Sequence, residues 1–173
     1  MLQKIFSLIG LGLILIFTQA TIFNHIHLLG YATPLPYVYL LLKLPSNTPR
    51  TIFLLVGFVL GMTIDVFSNT PGMTAASLCV IGLTTPWIFN AFAPKDRGEE
   101  VLHPSTSTMG AKPFYLYAFT ITLIHCIIFL SIETFSFFNV QTLLLKILGS
   151  TVLTFGLIFV FENLHPRRSK TTM

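Results

Sequence analysis

Apolar residues run along this chain in long blocks separated by short polar breaks, and the blocks define its elements. In chain order they are about Ile5–Phe23, Leu35–Leu44, Thr51–Phe67, Met73–Phe92, Phe114–Ile132 and Leu143–Phe161. Five of the six approach the roughly 20 apolar residues that a helix needs to cross a bilayer. The second is shorter, opened by Pro34 and Pro36 and closed by Pro45. It cannot cross as a regular helix. It reads as extended upstream, from Leu28 onward, by irregular backbone of the kind tolerated in lipid only where protein buries it. Pro86 predicts a kink in the fourth segment.

Composition turns this pattern into a membrane assignment. Of 173 residues, 53% are hydrophobic and only 9% charged, against about 25% charged in soluble domains. The expected fold is an all-α integral membrane protein of six transmembrane helices, forming a single domain over residues 1–173. No small-x-small site follows the first apolar run, so it reads as a helix rather than a cleaved signal peptide.

The basic residues orient the bundle. With six passes and both termini cytoplasmic, the inner side holds Lys4, Lys43, Arg50, Lys95, Arg97, Lys112, Arg167, Arg168 and Lys170. The outer loops, about Asn24–Thr33, Ser68–Gly72 and Glu133–Thr142, hold no Lys or Arg. Lys146 is the single exception among ten basic residues. This is the positive-inside pattern, and it requires the short second segment to cross. The loop at about 94–112 is expected to be a mobile cytoplasmic linker. The tail at about 163–173 is basic; its charges serve topology alone or, as the sharper alternative, bring Arg167 and Arg168 to anionic membrane lipids.

Motif chemistry is sparse. There is no phosphate-binding glycine loop, no H-E-x-x-H and no cysteine pair at metal spacing. No Ser or His stands in a nucleophile context. Cys79 and Cys126 sit in apolar runs and read as small core residues. The expectation is a protein without catalytic residues, cofactor, bound metal or nucleic-acid partner.

What remains is a set of polar groups inside apolar segments. Gly57, Gly61 and Asp65 recur every four residues and share one helix face. Small residues allow a neighbouring helix to come close in lipid, and an embedded carboxylate must face protein or water. Ser68-Asn69-Thr70-Pro71-Gly72 carries the turn chemistry of a tight connection, so the third and fourth segments should form a close antiparallel hairpin angled by Pro71 and Gly72. Ala75, Cys79, Gly82 and Pro86 form a second small stripe, and Gly149, Leu153 and Gly156 a third. The other embedded ionisable groups are His125, Glu133, Lys146 and Glu162. His125, Phe129 and Glu133 share a face. Asp65, Glu133 and Lys146 are expected at one depth, with Lys146 either paired to Asp65 or Glu133 to offset its desolvation or snorkelling outward without a partner. Such a cluster would serve as a structural ion pair, as a surface for a partner helix, or as a pocket for a small solute or proton relay.

The stretch Gly57-x-x-x-Gly61-x-x-Ile64-Asp65-Val66-Phe67-Ser68-Asn69-Thr70-Pro71-Gly72 resembles the signature region of the bacterial rod shape-determining protein MreD family. The Pro-bounded second segment, ending Leu42-Lys43-Leu44-Pro45, is similar too, as are the length and the basic C-terminus. The 94–112 loop is longer than that pattern. The resemblance implies a fold similar to the substrate-binding subunits of energy-coupling-factor transporters. It implies a non-enzymatic scaffold of the cell-wall elongation machinery in the bacterial inner membrane. Its implied partners are an MreC-type protein, the RodA–transpeptidase synthase and an MreB-type filament. The competing class is a small-solute-binding subunit of a membrane transporter, with His125, Glu133 and Lys146 lining an outward pocket. A lipid-modifying enzyme is a third class, for which the sequence offers no catalytic constellation.

Overall fold

The computed structural model describes residues 2–23, 32–94, 101–134 and 139–164, with side chains from Phe6 on. Leu28, Lys95, Arg97 and the basic tail with Arg167, Arg168 and Lys170 lie outside the described residues, as does the Lys4 side chain. Among the described residues seven helices are formed: α1 (Leu2–Thr21), α2 (Val38–Leu42), α3 (Arg50–Ser68), α4 (Met73–Phe92), α5 (Thr106–Met109), α6 (Ala111–Thr134) and α7 (Val140–Leu164). No strand forms among the described residues. α3, α4, α6 and α7 are long and apolar enough to cross a membrane, and the apolar part of α1, Phe6–Thr21, is shorter. At 25 residues, α7 is about 37 Å long, more than the roughly 30 Å hydrocarbon core.

α3 packs on α4, α4 on α6 and α6 on α7, with α1 against α3. The α3–α4 hairpin is the tightest contact, and its glycines set the distance. A Cβ at Gly57 would fall 2.8 Å from the Leu78 carbonyl oxygen, and one at Gly61 would fall 2.4 Å from the Ala75 Cα. Gly82 answers from α4, where a Cβ would meet the Phe53 carbonyl oxygen at 2.8 Å. These are backbone atoms, so the two helices touch main chain to main chain. The third small stripe divides: a Cβ at Gly149 would reach Ala32, whereas one at Gly156 meets nothing within 4 Å. α4 runs on through Pro86 to Phe92.

The short second segment forms the core. From Leu35 to Leu42 every side chain is buried, and the five-residue α2 touches α1, α3, α4 and α6. Ahead of α2 the backbone is extended, and its N–H groups would be orphaned without donors' partners from elsewhere. α7 supplies them: the Thr33 N–H donates to Ser150 Oγ at 3.0 Å, and the Leu35 N–H to Thr154 Oγ1 at 2.9 Å. Further along, the Tyr39 hydroxyl donates to Glu162 Oε2 at 2.8 Å. The segment thus runs beside α7 from Ser150 to Glu162, about 18 Å of helix. Irregular backbone at such depth is stable because serine and threonine of a neighbouring helix satisfy it.

The 94–112 loop departs from the expected mobile linker over its described part. The Ser46 N–H donates to the Leu102 carbonyl oxygen at 2.8 Å, and the Leu102 N–H returns to Ser46 Oγ at 3.0 Å. α5 is capped by Ser105, whose Oγ accepts from the Thr108 N–H at 3.3 Å, and Met109 is buried in the core. Polar residues that suit a solvated linker serve equally as caps and staples once Leu102 and Met109 find an apolar surface.

Candidate functional site

Two polar constellations occupy opposite ends of the bundle. At the end where α3 turns into α4, Asp65 is the organising residue. It is 3% exposed. Asn69 adopts a left-handed backbone (φ 55°) and ends α3, and Gly72 does the same (φ 78°) to start α4. That turn brings the first N–H groups of α4 back over the Asp65 carboxylate. Oδ1 accepts from the Thr74 N–H at 2.9 Å and from Thr70 Oγ1 at 2.9 Å, and Oδ2 accepts from the Ala75 N–H at 3.0 Å. A carboxylate here satisfies orphan donors and faces the positive end of the α4 dipole.

Beside this turn lies a cavity of about 330 Å³ between α1, the second segment, α3, α4 and α6. Its polar lining comes from Gln19, Thr33, Tyr37, Ser68, Thr70 and Thr74, with Glu133 added from α6. Ile64 and Phe129 are among its apolar walls. Tyr37 is held from behind by His125, whose Nε2 lies 3.1 Å from the hydroxyl. The Thr74 side chain lies beside the same hydroxyl. His125 is fully buried, stacked on Phe129 with ring centroids 6.0 Å apart. Its Nδ1 has no hydrogen-bond partner among the described residues. A buried imidazole so placed is best satisfied with its proton on Nε2, donating to Tyr37 and leaving the tyrosine O–H to donate elsewhere.

At the far end, Glu162 of α7 gathers three segments. Lys43, just past α2, forms an ion pair with Oε2 at 2.5 Å and donates to the Pro104 carbonyl oxygen at 3.1 Å. Oε1 accepts from the Thr106 N–H at 2.9 Å. The Lys43 ammonium also sits 5.2 Å from the Phe114 ring centroid, within cation–π range. The pair ties the second segment, the α5 loop and α7 together.

The sequence-derived residues fall in different places. Gly57, Gly61 and Asp65 face α4 within the chain, and Pro71 and Gly72 form the turn between the two helices. His125, Phe129 and Glu133 do point one way, toward the cavity and the layer behind it. The expected Lys146 pair is not formed. Asp65 turns into the α3–α4 hairpin, where backbone and threonine donors occupy both its oxygens. Among the described residues the sole salt bridge is Lys43 to Glu162. Lys146 is half-buried and does not line the cavity; a lysine stem is long enough to carry its charge toward the interface without a partner. His125 and Glu133 thus flank or line the cavity, and Lys146 is not among its described lining residues. Sequence reasoning left out Tyr37, Thr33 and Gln19 as lining groups, and the Lys43–Glu162 pair. The available signals were Gln19 at the end of an apolar run and a tyrosine beside Pro36. No family model, no curated protein and no solved structure matches this chain.

Proposed function

We propose that this chain is a non-enzymatic scaffold of the bacterial inner membrane, supporting lateral cell-wall synthesis by binding partner membrane proteins. In this reading it crosses six times with both termini cytoplasmic, α1 and the second segment contributing the first two passes. The observation that carries it is the task of the Gly57–Gly72 motif. Four positions of the stretch that resembles the MreD signature close the α3–α4 hairpin: Gly57 and Gly61 at the backbone contact, Asp65 on the start of α4, Gly72 in the turn. Those four are spent on folding, so partner helices must meet the chain elsewhere. Phe58, Val66 and Phe67 of α3, and Val152 and Phe159 of α7, are exposed apolar residues available for that. The partners would be an MreC-type protein, the RodA–transpeptidase pair and, from the cytoplasm, an MreB-type filament. Depletion of the chain in its native host tests the reading. Rods should round up as lateral wall incorporation stops; depleted cells that elongate normally would refute it.

The cavity favours a second reading, a solute-binding subunit of a membrane transporter. That reading requires ATPase partners, which the scaffold reading does not.

A further inference from the structure

We propose that the cavity beside the α3–α4 turn binds a small hydroxylated primary amine. The proposal stands on the cavity alone, so the identity of neighbouring proteins leaves it untouched. At about 330 Å³ the space sits at the lower end of the roughly 300–1,000 Å³ of small-molecule sites. It suits a compact solute of monosaccharide size.

The chemistry of the wall selects the ligand. Glu133 is the one acidic residue among the described lining residues, and no salt bridge engages it among the described residues. Asp65 is close by, but its two oxygens are consumed by Thr70 and by the first N–H groups of α4. Lys146 lies outside the lining. The described lining thus offers one carboxyl group with no Lys or Arg among the described lining residues, and a ligand ammonium would complement it through a charge-assisted hydrogen bond. The remaining polar lining is mostly hydroxyl, from Thr33, Tyr37, Ser68, Thr70 and Thr74. Hydroxyls both donate and accept, and are matched best by ligand groups that do the same.

The lining is also held in place. Thr70 Oγ1 is fixed on Asp65, and Tyr37 is held by His125. Two ionisable groups in apolar segments thus support lining residues from behind. A buried carboxylate and a buried imidazole are costly in a membrane protein and mark functional sites there. Holding binding groups in position through a second layer is how a site gains affinity without large ligand contact area.

The test is calorimetry on the full chain in phosphatidylcholine nanodiscs, below neutral pH, with glucosamine and ethanolamine as probes. Glucose and N-acetylglucosamine are the controls, since both keep hydroxyls and lack the cation. Glucosamine should bind at least tenfold tighter than either control. Glu133→Gln, at an exposed rim position, should abolish that preference with the thermal midpoint unchanged. Tyr37→Phe should weaken glucosamine several-fold, and Lys146→Met should change nothing. Competition by phosphatidylethanolamine nanodiscs would assign the ammonium to a lipid headgroup, and binding indifferent to that lipid would assign it to a free solute. Equal binding of charged and neutral sugars, retention of the preference in Glu133→Gln, or no binding of either amine would overturn the proposal.

Discussion

Adding a single methyl group at Gly61 probes the backbone contact between α3 and α4. The new Cβ would lie 2.4 Å from Ala75 Cα, 2.6 Å from its N and 2.9 Å from the Thr74 carbonyl carbon. Ordinary contact begins at 3.4 Å, so α3 and α4 must separate locally by 1.0 Å, the difference between 3.4 and 2.4. Overpacking of this kind costs about 1–3 kcal/mol. The same shift would lengthen the Asp65 bonds to the Thr74 and Ala75 N–H groups, now 2.9 and 3.0 Å, toward 4 Å. Hydrogen bonds fade beyond about 3.2 Å, and each one to a charged group is worth about 1.5–3 kcal/mol. Gly61→Ala should therefore lose about 4 kcal/mol or more in all, enough to consume much of a marginal fold. Gly156→Ala is the matched control, because nothing lies within 4 Å of its Cβ position. It should be neutral or gain up to about 1 kcal/mol of helix propensity. The assay is reversible unfolding of the purified protein in mixed detergent, read by circular dichroism. A companion variant sharpens it: Ala75→Gly should not rescue Gly61→Ala, because the clash is with the Ala75 backbone rather than its methyl group. Equal stability of the Gly61 and Gly156 variants, or full rescue by Ala75→Gly, would refute the close hairpin.

Three further outcomes follow from the same geometry. Asp65→Asn keeps the shape but removes the charge facing α4 and turns an N–H toward backbone donors, so it should cost about 2–4 kcal/mol in the same unfolding assay. Glu162→Gln leaves the partly buried Lys43 ammonium without its carboxylate and should destabilise by about 3 kcal/mol; Lys43→Met combined with Glu162→Gln should cost less than the sum of the two single changes, as expected when one partner's loss leaves the other charge uncompensated. The same Glu162→Gln change should raise hydrogen exchange at Thr106, whose N–H loses a charged acceptor, while leaving Thr74 protected. Ser150→Ala removes the hydroxyl that accepts from the Thr33 N–H and should cost about 1–3 kcal/mol, whereas Ser150→Thr, which keeps an acceptor, should recover most of it.

Much of the hairpin was legible in the sequence. A four-residue repeat fixes a helix face whatever the tertiary structure, so Gly57, Gly61 and Asp65 had to point together, and the Asn69–Gly72 turn made the following helix their natural neighbour. The partner of Asp65 was not legible. Backbone N–H groups at a helix start belong to every sequence, and no side chain marks them, whereas Lys146 was a visible charge at similar depth. Lys43 and Glu162 were each visible but far apart in the chain. Lys43 read as a topology marker, and only the parallel run of the second segment beside α7 brings the two together. The loop carried two opposed signals, a polar run that suits a linker and the apolar Leu102 and Met109; packing decided between them. The cavity was hardest to foresee, since its walls converge from five segments and depend on where Tyr37 and Glu133 fall in three dimensions.

The most direct test of the scaffold reading is recovery of the tagged full-length chain from native membranes in mild detergent, with mass spectrometry of what accompanies it. An MreC-type protein or the RodA–transpeptidase pair should co-purify, and should do so equally with a Glu133→Gln variant. Recovery of a pair of ATPase subunits in their place would contradict the scaffold and make the chain a transporter subunit.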